Sequence, residues 1–269
     1  MSGFSLEWLT LREDYDMRAR NPVVLGAAIS ELKSKSAVRL VDLASGTGST
    51  LRSLSPRLPA RQHWVLVDND RRLLNAACAS NFASDVGRNA VQLDLNSDLE
   101  SVLKPPSDLI TTSALLDLVS EAWLSRFALH VAAHATPVYA ALTYDGRVEF
   151  SPVDPTDAAI VEAVNAHQRT DKGFGPALGP MAAAAAINSF ESLGYSIVQG
   201  KSDWVIGTAD RNIQIELLNG WAGAAREMQS LPSDKIDGWL AGRLQAVDQG
   251  ASSMRVGHVD FFATPSTTR

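Results

Sequence analysis

Residues Val38–Thr50 read VRLVDLASGTGST, and the reading of this stretch decides the fold. Val38, Leu40, Val41 and Leu43 form an apolar run of the kind carried by a parallel strand buried on both faces. The run passes through Asp42, Ala44, Ser45, Gly46, Thr47 and Gly48 into a helical pattern. A strand, a glycine turn and a helix start make a site of nucleotide size. The glycines let a ligand come close to the backbone, and the helix start offers unpaired N–H groups. A dinucleotide fingerprint would need Gly-x-Gly-x-x-Gly, but Gly48 is followed by Ser49, Thr50 and Leu51, so the third glycine is missing. Asp42 precedes the turn, where it would repel a pyrophosphate and would suit a ligand with a positive end.

Working outward, His63–Asp68 reads as a second strand ending in an acid, with Asn69 and Asp70 next. A carboxylate at this strand end, about 20 residues beyond a glycine turn, hydrogen-bonds ribose hydroxyls. Asp68 is the candidate for that role, whereas Asp70 reads as the N-cap of a helix over 71–82. Residues Asn89–Leu95 read as a third strand that again ends in an acid, Asp94. Acids at two successive strand ends form a constellation that points to a nucleoside.

Asp42, Ala44, Gly46 and Gly48, an acid followed by small residues at alternate positions, resemble the first motif of the class I S-adenosylmethionine-dependent methyltransferases. Ala44 stands where that pattern most often has glycine. The resemblance covers about 38–143 well and the strand pattern to Thr264 loosely. It implies a seven-stranded, mostly parallel, doubly wound α/β sheet with an antiparallel last strand and helices on both faces. It also implies S-adenosyl-L-methionine as cofactor, held by Ser45 and Thr47 together with the motif residues. Asp68 and Asn69 would take the ribose, Asp94 the adenine amino group, and the Leu95 N–H a ring nitrogen. Ser113 would lie near the sulfonium. An N-terminal arm, 4–20, reads as a charged helix and would be a lid, with Arg20 or Arg12 pairing the methionine carboxylate in bidentate fashion.

The chain has 269 residues, 45% of them hydrophobic, enough for one large α/β core with an insertion or appendage. Its net charge of −6 and lack of a basic block argue against non-specific nucleic-acid binding, which rests on phosphate neutralisation. One cysteine, Cys78, excludes an internal disulfide, and its place among Leu73, Leu74, Ala77 and Phe82 reads as packing. The opening MSGFSLEWLT lacks a basic region and a long apolar core, and the alanine run 182–186 is too short to span a bilayer. A cytoplasmic protein without membrane contact is expected, as monomer or homodimer.

Further along, Asn21-Pro22 is a helix start, and Ser107–Ser113 is a fourth strand continuing into Ala114-Leu115-Leu116-Asp117-Leu118. In the resembled family this segment faces both sulfonium and acceptor, which makes Thr112, Ser113 and Asp117 candidate lining. It lacks the Asn-Pro-Pro-Tyr type of tetrad used on nucleic acid and on protein glutamine, which favours a small organic acceptor. Residues Thr136–Thr143 read as the fifth strand, placing Tyr144 and Asp145 beyond its carboxyl end, where ligands of open parallel sheets sit. The domain bounds are then an N-terminal lid (1–36), the cofactor-binding core (37–146), a cap insertion (147–179), and the remaining core with extra helices and final strands (180–269). In the cap, Arg169 and Lys172 are candidates to hold an acidic group of the acceptor. Tyr144, His167 and Asp117 are candidate bases.

No metal site is expected. His130 and His134 share a helix side but lack the Glu of a zinc-protease pattern. The rival readings are a nicotinamide oxidoreductase, disfavoured by the missing glycine and by Asp42, and a cofactor-binding regulatory protein without transferase activity.

Overall fold

Strand β1 (Ala37–Leu43) lies mid-sheet, parallel to β2 (Arg61–Asp68) on one side and to β4 (Leu109–Ser113) on the other. The structure, a computed structural model, describes residues 4–59, 61–79 and 83–266. Strand β3 (Val86–Gln92) flanks β2, and β5 (Val138–Ser151) flanks β4, all parallel. Beyond β5 comes β8 (Ser253–Pro265), antiparallel to it and to β6 (Tyr195–Lys201). The order is therefore β3-β2-β1-β4-β5-β8-β6, the doubly wound sheet expected, with the short β7 (Trp204–Ile206) as an eighth strand on β8.

Alternation along β1 and β2 builds the two faces. Val41, Leu43, Val65 and Val67 pack with α5 (Leu99–Leu103), α6 (Glu121–Ala133) and α8 (Ala182–Ser192). Val38, Leu40, Trp64 and Leu66 pack with α2 (Pro22–Leu32), α3 (Ser49–Leu54) and α4 (Arg71–Ala79). Each fully buried leucine or valine of these strands contributes about 1.5–3 kcal/mol over an exposed one. Local signals set the helix ends: Asn21 accepts from the Val23 and Val24 N–H groups, and Ser120 from Trp123 N–H. Asp70 caps α4 through Arg72 N–H at 2.8 Å. Residue Phe82, assigned to α4 and to the packing around Cys78, lies outside the described residues.

Two assignments are corrected. Strand β3 ends at Gln92, so Leu93, Asp94 and Leu95 form a loop, although Leu93 N–H still bonds Asp68 O at 3.0 Å. Strand β5 does not stop at Thr143. It runs to Ser151 as a ribbon with β8, so 144–151 belong to strand rather than to a loop and cap. The register slips between Ala140 and Thr143, where Leu142 takes φ +55° and its N–H is held by Asp260 Oδ1 at 2.7 Å. Such a bulge bends a strand and re-aims the residues beyond it.

Past the bulge a third core forms. Tyr144 and Phe150 pack there with Trp204, with α7 (Asp157–Gln168), α9 (Arg211–Met228) and α10 (Ser233–Asp248). The face α9 buries runs through Ile213, Leu218, Ala222 and Ala225, while Leu217 and Trp221 are only partly covered. Helix α1 (Leu6–Ala19) sets Trp8, Leu11 and Tyr15 against this same core. No described helix is long and apolar enough to cross a membrane.

Candidate functional site

A cleft of about 760 Å³ opens at the carboxyl edges of β1 to β4. The turn after β1 forms its floor, with Ala44, Ser45, Gly46 and Thr47 lining it and Ser49 and Thr50 next in line. The turn needs left-handed backbone at three positions: φ is +51° at Ala44, +53° at Gly46 and +85° at Gly48. Gly48 does not line the cleft. A Cβ there would meet the Cβ of Ala77 on α4 at 3.2 Å, so its smallness serves helix packing. Ala44 holds a conformation that disfavours side chains, the physical reason glycine is common at this motif position.

Asp68 closes the floor on the β2 side. Its Oδ2 accepts from Gly46 N–H at 2.8 Å and its Oδ1 from Asp70 N–H at 2.9 Å, which fixes the carboxylate at the cleft. Burial raises its pKa, and those N–H groups oppose the rise. Each carboxylate oxygen keeps a lone pair for a hydroxyl. Asn69 stands beside it, and Asp94, Leu95 and Ser113 line the neighbouring strand ends. The Ser45 and Ser49 hydroxyls are buried at the cleft without a partner.

Asp42 and Arg20 are shut off from the cleft. Asp42 is 1% exposed, accepts from Thr111 Oγ1 at 2.7 Å and leaves Oδ2 without a partner. Burial pushes its pKa up to about 7, against the Thr111 hydrogen bond and the Arg20 charge. Arg20 donates to Tyr139 Oη at 3.3 Å and Thr50 Oγ1 at 3.2 Å, behind the floor. The acid before the turn is thus buried against Thr111 rather than open to the cleft. Arg12 lines the cleft instead, in bidentate contact with Asp16 at 3.0 and 3.1 Å. Leu9, Arg12 and Asp16 have i, i+3, i+7 spacing, so one face of α1 is the front wall. That periodicity is the sequence signal for Leu9 and Asp16. Phe4, Leu115, Leu118 and Phe174 also line the cleft with no such signal.

Of the acceptor-side candidates, Lys172 lines the cleft. Six others are placed elsewhere. Thr112 lies within the sheet and donates to Leu43 O at 3.2 Å. The Asp145 carboxylate accepts from Arg147 Nε at 2.7 Å in an ion-pair group with Asp203. Tyr144 points into the third core, donating to Asn165 Oδ1 at 2.8 Å, and burial raises its pKa far above the usual phenol range. Arg169 folds back on Asn165 O at 3.2 Å. His167 sits behind Lys172 and meets Glu227 Oε2 at 3.0 Å. Asp117 is 6% exposed on the turn between Leu115 and Leu118, its Oδ1 unpartnered, and burial lifts its pKa to about 6.

The segment 171–178 makes a fixed rim. Asp171 Oδ1 accepts from the N–H groups of Gly173 (2.6 Å) and Gly175 (3.0 Å), and Asn96 Nδ2 donates to Gly173 O at 2.9 Å. Phe174 meets Trp123 edge-on at 5.6 Å, and Trp123 Nε1 donates to Leu95 O at 2.7 Å. The rings of His130 and His134 lie 4.8 Å apart, and among the described residues no group of three or more potential metal ligands assembles.

Comparison with protein-family models and with curated proteins gives no match. Solved structures do resemble the chain. A cyclopropane-fatty-acyl-phospholipid synthase-like protein from Lactobacillus casei matches at TM-score 0.55 and 12% identity, over 97% of this chain and 94% of its own. A cyclopropane synthase from Mycobacterium tuberculosis matches at TM-score 0.49 and 12% identity, over 89% and 82%. A methyltransferase from Geobacter sulfurreducens in complex with S-adenosyl-L-homocysteine matches at TM-score 0.49 and 12% identity, over 99% and 100%. With its strand order and its antiparallel β8, the chain shares the Rossmann-like α/β fold of the Lactobacillus casei protein.

Proposed function

We propose that the cleft binds S-adenosyl-L-methionine and that the protein transfers methyl groups to an oxygen or nitrogen of a small organic acceptor. The observation that carries this reading is Asp68, a carboxylate fixed by two backbone N–H groups at the cleft floor, with a second acid, Asp94, in the cleft-lining loop after β3. The residues present fit the cofactor. Asp68 takes the ribose hydroxyls, Asp94 and Leu95 the adenine edge, and the unpartnered hydroxyls of Ser45 and Ser49 the methionine end. Arg12, rather than Arg20, is the cation beside that end.

The cofactor, when bound, supplies a methyl group already activated on sulfonium. The chain's own work is to position and to exclude water, effects that together supply a large part of the rate. Leu9 and Phe174 provide apolar walls for this, and Leu115 and Leu118 provide the floor of the acceptor side. Tyr144 and His167 are turned away from the cleft. Asp117 is a proton acceptor held behind the wall rather than on it.

Calorimetry tests the reading. S-adenosyl-L-homocysteine should bind the full chain and NAD should not. Asp68→Ala should weaken that binding about 100-fold, the loss of two charge-assisted hydrogen bonds. Binding of NAD with no response to S-adenosyl-L-homocysteine would overturn it.

A further inference from the structure

Lys172 reaches the cleft from the rim segment, and its surroundings are unusual for a lysine. Its ammonium has three N–H donors. One goes to Thr170 Oγ1 at 3.0 Å and one to His167 Nδ1 at 3.4 Å. His167 Nε2 lies 3.0 Å from Glu227 Oε2, so the imidazole donates there and keeps Nδ1 as an acceptor for the lysine. Among the described residues no carboxylate lies within ion-pair distance of Lys172, and no acceptor takes the third N–H. A half-buried cation is thus oriented by a hydroxyl and an imidazole, with one donor left over, at the wall of the cleft. Burial lowers its pKa, the expected result when a cation lacks a counter-charge in contact. Arg12, by contrast, has its carboxylate in Asp16.

The lining of the same cleft includes apolar side chains, Leu115, Leu118 and Phe174 among them. One free N–H on one positive charge matches a monoanion. A phosphate dianion calls for several donors.

We infer that the molecule taken beside the cofactor is a small organic acid with an apolar body, its carboxylate held by Lys172. His167 and Thr170 are positioning residues that aim the ammonium. The inference rests on the proposed cofactor reading only in naming this molecule the acceptor.

Calorimetry on the full chain saturated with S-adenosyl-L-homocysteine tests it, using octanoate and hydrocinnamate, each against its own primary amide. Each acid should bind at least about tenfold tighter than its amide. Lys172→Gln should abolish that preference, and Lys172→Arg should keep most of it. His167→Ala should reduce it by a few-fold through looser aim. Equal binding of acid and amide to the wild-type chain overturns the inference. So does binding of neither, or a preference that survives in Lys172→Gln. The wild-type comparison decides even where a variant fails to fold. Failure of S-adenosyl-L-homocysteine itself to bind overturns the methyltransferase reading instead, and the acid–amide comparison without it still decides the role of Lys172.

Discussion

The two halves of β5 obey different rules. Its first half lies in the parallel sheet, where Val138 and Ala140 face one core and Tyr139 and Ala141 the other. After the bulge at Leu142, its second half joins β8 and β7 in a three-stranded antiparallel ribbon under α7, α9 and α10. At the cleft end the decisive contacts are short in sequence: Asp68 reaches Gly46, 22 residues away, across one strand–helix–strand unit. In the ribbon module they are long. Arg243 pairs with Asp157 across 86 residues, and Tyr15 donates to Asp210 across 195. One region is written in local turns and strand ends, the other in pairs of side chains brought together only by the finished fold.

Breaking a long-range pair should give the largest effect. Arg243 is 3% exposed and Asp157 9%, and Trp239 Nε1 also donates to Asp157 at 2.8 Å. Asp157→Ala leaves a buried cation alone, and urea unfolding should show a loss of about 3–5 kcal/mol. The affinity of the folded variant for S-adenosyl-L-homocysteine should stay within about threefold of wild type. A parallel collapse of both would dissolve the distinction between the two regions.

Asp42→Asn sharpens the comparison from the cleft side. The folded-state pKa of Asp42 is raised to about 7 from the ordinary carboxyl value of 3.8. A raised carboxyl pKa contributes stability below the unfolded value that is lost as pH climbs through the folded one. Wild-type stability should therefore fall by about 2–3 kcal/mol relative to the Asn variant between pH 5 and pH 8. Denaturant titrations across that range measure it, and a flat difference would refute the assigned cause.

Ala44→Gly gives the smallest change, and in the opposite direction. Relieving a left-handed alanine returns about 1–2 kcal/mol, against roughly 0.5–1 kcal/mol of added freedom in the unfolded chain. A net gain of about 0.5–1 kcal/mol should raise the melting temperature by a few degrees. A loss would mean that the methyl group packs productively in the turn.

Legibility in the sequence divides along the same line. The glycine turn, the caps at Asn21, Asp70 and Ser120, and the acid that ends β2, Asp68, are local devices, and they sit where the residues indicate. The sequence pattern carries β3 too far because Leu93 and Leu95 continue its alternation past Gln92. It cuts β5 short because Asp145-Gly146 reads as a turn. In the structure Gly146, with φ +86°, lies inside the strand at a second register slip. For the site, residue type is legible but direction is not. Tyr144, Asp145 and Thr112 sit at the right height in the sheet and face away, since the bulge that turns the first two depends on Asp260 from the last strand.

Helix α1 lines the cleft with Leu9, Arg12 and Asp16, and two of these three are also gripped from behind. Trp204 Nε1 donates to Asp16 at 3.0 Å, and the Arg12 guanidinium lies 4.9 Å from the centre of the same indole ring. One indole thus holds the side chains that shape the front wall, and Trp8 at the other end of the helix packs on it too, at 6.3 Å. Replacing Trp204, which does not line the cleft, would loosen that wall from a distance.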